Sequence, residues 1–262
     1  MSRFACISFI VSILRNAVLP VCCLLAGKGI AGAQKVYHCM TGIHLYELKP
    51  GSSTPQDTAV LQLLSLYKDS LAFKMEELIA ENKTPLSKTQ PESTLGNWIC
   101  DAARKQVSRQ GIQADICLLS YGSIGKEYIA PGPVYRKDIY ELIPFENKMV
   151  LVSMSGTVLH HLCDSIARMN GMPLSGLSFT IDSGRAVRIR IGPEALNEHR
   201  IYTILVNDYL LGRYSQLLAK LCHRNRNTGL SLRNLLLEEC MELQAKGVPV
   251  HQVLEKRIAY AE

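Results

Sequence analysis

Residues Ala114–Asn147, ADICLLSYGSIGKEYIAPGPVYRKDIYELIPFEN, decide how the chain is read. Ala114–Leu119 is a short apolar run of the kind that forms a buried strand, and it empties into Ser120-Tyr121-Gly122-Ser123-Ile124-Gly125, whose composition predicts a tight loop with room for a ligand. Beyond Gly132-Pro133, the segment Arg136-Lys137-Asp138 opens a helical turn. Pro144 stops that turn and aims Phe145, because proline cannot continue a helix and restricts the residue before it. A new strand follows over Lys148–Met154.

Working outward, the hydrophobic period sets the remaining elements. Val60, Leu64, Tyr67, Leu71, Met75, Leu78 and Ile79 mark one face of a helix from Asp57 to about Asn82. A second helix starts near Ser93 and buries Leu95, Ile99, Cys100, Ala103 and Val107; a third, Gly156–Met169, is capped by Ser155 and buries Val158, Leu159, Leu162 and Ile166. Leu177–Asp182 and Ala186–Ile191 flank Ser183-Gly184-Arg185 as a hairpin, with Val187, Ile189 and Ile191 on one face. Ile201–Val206 reads as a buried strand, Leu210–Leu221 and Ser231–Ala245 as helices, and Val248–Ile258 as the closing segment. Upstream, Gln34–Leu48 alternates like a strand before the loop Pro50–Pro55. Strands and helices mix without a regular βαβ count, so the predicted class is α+β, a mixed sheet with packed helices.

With 262 residues, 47% of them hydrophobic, the chain has ample material for a core. Residues 1–33 read as an export signal: Arg3 and Arg15 precede the apolar stretch Ala17–Ala26, and Ala31-Gly32-Ala33 offers small side chains for cleavage before Gln34. An uncleaved anchor is the competing reading, but Arg15, Asn16 and Pro20 interrupt the apolar run below the roughly 20 residues a span needs. Lipidation at Cys22 or Cys23 is a lesser alternative, because Val21 is a poor fit before the modified cysteine. Without the leader, 26 basic residues face 23 acidic ones, too small an excess to argue for a nucleic-acid polymer as partner. Six cysteines then remain. The even count permits disulfides, yet Cys100, Cys117, Cys163 and Cys240 sit in apolar patterns where cysteine acts as a small buried hydrophobe.

Five motifs in order, ESTLGN (Glu92–Asn97), ADICLLSYGSIG (Ala114–Gly125), PFEN (Pro144–Asn147), SGTVL (Ser155–Leu159) and NDYLLG (Asn207–Gly212), resemble the C-terminal, substrate-binding domain of the 5'-nucleotidases over roughly Leu86–Ile258. With the leader 1–33 set apart by its own pattern, the resemblance divides the rest into a strand segment with a linker helix over 34–82 and the nucleotidase-like domain over 83–262. It also implies a nucleoside or nucleotide ligand. Phe145 and Tyr209 would sandwich the base, since stacking contributes about 1–3 kcal/mol per base and tolerates base identity; from the residues alone, a core plug is the rival reading of Phe145. Asn147 would bond the base edge, against the alternative of a turn residue. Ser120, Gly122 and Lys126 belong to the ligand loop, and Gly171 and Gly176 fall where the family brings backbone near the base.

Departures accompany the match. Where the family's loop ends in a substrate-contacting arginine, this chain has Gly125, with Lys126 one residue on; where a glycine-glycine-aspartate holds the ribose, Gly212 is followed by Arg213-Tyr214. The family's metal-binding half has no counterpart here: His38, His44, His199, His223 and His251 lack an HxH or DxH companion, and adjacent His160 and His161 point differently on a helix. No catalytic or metal-ligating residue is therefore assigned and no cofactor is expected in this chain, divalent metals being expected only on a separately encoded metallophosphoesterase. The isolated chain is expected to be inactive. Its place is expected to be the periplasm or cell envelope, with no transmembrane span after cleavage, and the alternative to a working half-enzyme is a non-catalytic module with a decayed pocket.

Overall fold

The computed structural model describes residues 58–213 and 224–261, all within one folded unit, Asp57–Glu262. The leader, the strand-like stretch 34–48, Cys39 and Cys222 lie outside the described residues, as does the second half of the helix expected over Leu210–Leu221.

The chain opens with α1 (Thr58–Met75), β1 (Leu78–Asn82), β2 (Leu86–Ser87) and α2 (Thr94–Arg109). After β3 (Ile116–Leu118) come a 3-10 turn (Tyr121–Ser123), β4 (Tyr128–Ile129), β5 (Gly132–Tyr135), α3 (Arg136–Leu142), β6 (Lys148–Ser155) and α4 (Gly156–Arg168). The second half holds β7 (Leu174–Ser175), β8 (Leu177–Asp182), β9 (Arg185–Ile191), β10 (Glu194–Ala195), β11 (Ile201–Asn207) and α5 (Asp208–Arg213). It ends with β12 (Arg224–Ser231), α6 (Leu232–Ala245) and β13 (Ile258–Tyr260).

A five-stranded sheet, ordered β12-β6-β11-β3-β7, forms the spine. β11 runs parallel to β3 and antiparallel to β6, so the sheet is mixed, as the sequence leads one to expect. Its pleat sends alternate side chains to two cores. Cys117, Met149 and Leu205 join α2 and α6 on one face, with Leu95, Ile99 and Leu236. Ile116, Leu118, Val150, Val152, Ile204 and Val206 meet α4 and a second sheet, β10-β9-β8-β13, on the other. The cap predicted at Ser155 for α4 is present, and Ser93 and Ser231 cap α2 and α6 in the same way: each serine accepts from a backbone N–H three residues on, relieving the unpaired donors of the first turn.

The structure changes three local expectations. The first helix ends at Met75, and Leu78–Asn82 is strand β1, antiparallel to β5. Leu78 and Ile79 satisfy a helical period, but the ladder to β5 buries Ile79, Ala80 and Asn82, and that tertiary gain outweighs local pattern. The face built on Val60, Leu64, Tyr67 and Leu71 is exposed rather than buried. In the hairpin, a bulge shifts the register between Ser178 and Thr180, with Arg188 at φ 54°, so Ala186 points inward where Val187 was expected and Val187 is half-buried.

Candidate functional site

Strand register brings the sequence-predicted residues to one end of the spine. Because β11 and β3 are parallel, with Val206 opposite Leu118, the chain leaves both strands at the same edge, into Asp208–Gly212 and Ser120–Gly125. Antiparallel pairing places Met149 opposite Asn207, so Pro144–Asn147 enters β6 at that edge too. Leu174 opposite Leu118 brings Gly171–Pro173 there, and Ser231 opposite Lys148 adds the start of α6. Five segments distant in sequence thus share one rim, the kind of loop cluster on a rigid scaffold that carries function.

A chain of buried polar groups fixes the rim. Asn207 is fully buried; its Nδ2 donates to Ser123 Oγ at 2.7 Å and its Oδ1 accepts from Leu210 N at 2.9 Å, capping α5. The hydroxyls of Ser123 and Ser120 lie 3.3 Å apart. Asp208 Oδ2 accepts from Lys148 N at 3.2 Å, tying α5 to the Phe145–Asn147 corner. Tyr209 leans on the loop: a Cβ at Gly122 would lie 3.9 Å from Tyr209 Cε1 and Oη. Neither aromatic is a core residue, with Phe145 57% and Tyr209 44% exposed, which rules out the core-plug reading of Phe145. Asn147 is half-buried, and its carbonyl accepts from Leu232 N at 3.1 Å.

The corner is held from two sides. Gly125 N donates to Leu142 O at 2.8 Å, and a Cβ on Gly125 would sit 2.5 Å from Glu141 O, so this backbone has no space for the arginine that the resemblance leads one to look for. From α6, Arg233 Nε donates to Ile143 O at 2.8 Å and Nη2 to Pro144 O at 2.7 Å, while its guanidinium lies 4.7 Å from the Tyr140 ring centre. Arg233 is a site residue that motif reading misses, since it contacts backbone carbonyls 89 and 90 positions away.

Other sequence candidates have structural explanations. Lys126 is bound by two acids, Asp138 at 2.8 Å and Glu141 at 2.6 Å. Burial works against its charge, but these two carboxylates more than offset it, raising its pKa and engaging the ammonium away from any incoming anion. Gly171 is buried at φ 97°, where a Cβ would lie 2.0 Å from Pro91 O; close backbone packing requires the glycine. Gly176 is the same case, its Cβ position 2.1 Å from Asp115 O. Within ESTLGN, buried Glu92 accepts from Asn97 Nδ2 at 2.7 Å and Glu255 N at 2.9 Å, so that motif fastens the C-terminal segment. Beside the loop lies a cleft of about 340 Å³ lined by Lys88, Thr89, Gln90, Tyr121 and Glu127, over which Tyr121 Oη donates to Thr89 O at 2.6 Å. Burial, with the nearby Cys100 and Glu92, keeps that phenol protonated well above its usual range. Among the described residues no group of three or more His, Cys, Asp or Glu side chains is placed to hold a metal.

The sequence profile of the family described as 5'-nucleotidase, C-terminal domain, matches residues 74–218, which include the whole rim except the start of α6. The chain belongs to that family. A 5'-nucleotidase precursor from Thermus thermophilus superposes with a TM-score of 0.66 at 25% identity, covering 80% of this chain and 44% of its own. The NAD nucleotidase of Haemophilus influenzae gives a TM-score of 0.60 at 14% identity, covering 79% of this chain and 42% of its own, a likeness of fold. Endonuclease YhcR of Bacillus subtilis is 24% identical over 169 residues, 61% of this chain and 13% of that protein. This nucleotidase-family chain thus spans less than half the length of each of these relatives. No described helix is long and apolar enough to cross a membrane.

Proposed function

We propose that this chain is an exported nucleoside- or nucleotide-binding protein, the substrate-recognising half of a nucleotide phosphohydrolase whose metals sit on a separately encoded metallophosphoesterase. The observation that carries the reading is the pair of exposed aromatics, Phe145 and Tyr209, anchored by ordered backbone at one sheet edge. Exposing two large rings forgoes their burial, and flat rings on a rigid rim suit base stacking. Family membership supports the ligand class, the Thermus and Haemophilus relatives being named as nucleotidases. Asn147 at the same corner is the group for the base edge, and Ser120 and Gly122 line its loop side. The leader 1–33 supplies export to the periplasm or envelope in this reading.

A second reading, a non-catalytic module with a weakened pocket, is favoured by two facts: Gly125 stands where the family arginine would be, and Lys126 is engaged by Asp138 and Glu141. Calorimetric titration of AMP and adenosine separates the two. The first reading expects binding that Phe145→Ala and Tyr209→Ala each weaken about 5- to 150-fold, the worth of one stacking contact. It also expects phosphate release from AMP only when a secreted metallophosphoesterase is added. Absence of binding to either ligand sinks it.

A further inference from the structure

We propose that Arg233 is a positioning residue for base recognition: it grips the two carbonyls that precede Phe145 and so sets where that ring stands. The inference rests on the ligand reading above. Arg233 spends two adjacent edges of its guanidinium on consecutive carbonyls, Ile143 O at 2.8 Å and Pro144 O at 2.7 Å, and lays its plane near Tyr140 at 4.7 Å. A planar fork of fixed N–H donors can do all three; a lysine, one point charge on a flexible stem, cannot. Among the described residues no other hydrogen bond to these two carbonyls is present, so without Arg233 the peptides just before Phe145 lose their side-chain anchor and the corner is held only by the bonds that flank it, Gly125 N to Leu142 O, Leu232 N to Asn147 O and Lys148 N to Asp208. Phe145 itself is too exposed for a core to hold it. The placement of the cation argues the same way. Arg233 is the second residue of α6 after the Ser231 cap, where the helix dipole favours an anion, so its position is not explained by helix stability. Fixing a recognition ring before the ligand arrives removes part of the ordering cost of binding.

The test combines a double-mutant cycle with a spectroscopic probe. AMP affinity is measured for wild type, Arg233→Met, Arg233→Lys, Phe145→Ala and the double variant Arg233→Met/Phe145→Ala. In parallel, the full chain is labelled with 4-fluorophenylalanine; it has five phenylalanines, and Phe145→Leu assigns the relevant resonance. Both Arg233 variants are expected to weaken AMP binding at least fivefold and to shift the Phe145 fluorine signal, leaving the Phe179 signal in place. The double variant should bind no more weakly than Phe145→Ala, because the arginine acts through the ring. Arg233→Lys keeps charge and length, so it reports even if Arg233→Met fails to fold. Unchanged AMP affinity in the arginine variants, or an equal loss with and without Phe145, overturns the proposal. If wild type does not bind AMP, the ligand reading fails, and the grip on the ring stands or falls on the fluorine signal alone.

Discussion

Replacing Asn207 by alanine should be among the more damaging single changes at the rim. The side chain is fully buried and its amide is used at both ends, donating to Ser123 Oγ at 2.7 Å and accepting from Leu210 N at 2.9 Å. Losing the cap of α5 costs about 1 kcal/mol. Losing the bond to Ser123, itself fully buried, costs about 1 kcal/mol more, and the small void left behind adds a similar amount. The sum, about 2–4 kcal/mol, corresponds to a fall in Tm of roughly 5–15 °C for a domain of this size. Asn207→Ser, which keeps a capping oxygen but cannot reach both partners, should fall between wild type and Asn207→Ala. Urea and thermal melts followed by circular dichroism measure both. A loss under about 1 kcal/mol for Asn207→Ala would refute the view that this amide fastens the rim.

Gly171→Ala should destabilise by about 2–4 kcal/mol, since the added carbon would meet Pro91 O at 2.0 Å and the backbone has φ 97°, whereas Gly212→Ala, with nothing within 4 Å, should cost nothing or add up to about 1 kcal/mol; paired denaturant melts compare them. Lys126→Ala should lower AMP affinity less than threefold, because its ammonium is engaged by Asp138 and Glu141, and a tenfold loss in calorimetry would return it to the ligand site. Burial lifts the Cys163 thiol from the usual 9.0 to about 12. Below pH 9 both folded and unfolded chains hold that proton, while between pH 9 and 12 only the folded chain does, so stability should fall as pH rises, by about 1.4 kcal/mol per unit from this thiol. Cys163→Ala should flatten that slope, and an unchanged slope would show that the thiol titrates normally.

The architecture was legible wherever local pattern and tertiary packing agreed. Ser93, Ser155 and Ser231 each stand before an apolar 3.6-residue period, and each caps a helix. The pattern misleads at Leu78–Asn82, where two apolar residues fit either period and only the partner strand β5, more than fifty residues on, decides between them. β12 was unreadable for a related reason: RNRNTGLS has no apolar alternation, because an edge strand with polar side chains is held by its ladder to β6. At the rim, motif order put Phe145, Asn147 and Tyr209 together. What it could not show was why each neighbour is what it is. Gly171 answers to Pro91, Gly125 to the carbonyl of Glu141, and Arg233 to two peptide oxygens; main-chain atoms leave no trace in the identity of the residue that carries them.

The middle strand of the spine is made late. β6 and β3 have no hydrogen bonds to each other except through β11, whose residues 201–207 leave the ribosome some fifty positions after β6 is complete. Leu205 belongs to one core and Ile204 and Val206 to the other, so neither core can close on a nascent chain that stops short of this strand. Translation therefore delivers about three quarters of the polypeptide with β6 unpaired in this sheet and β3 paired only to β7; β11 then bridges them through contacts distant in sequence, and β12 adds to the far edge of β6 later still. Fragments truncated before Ile201 should remain unfolded and prone to aggregate.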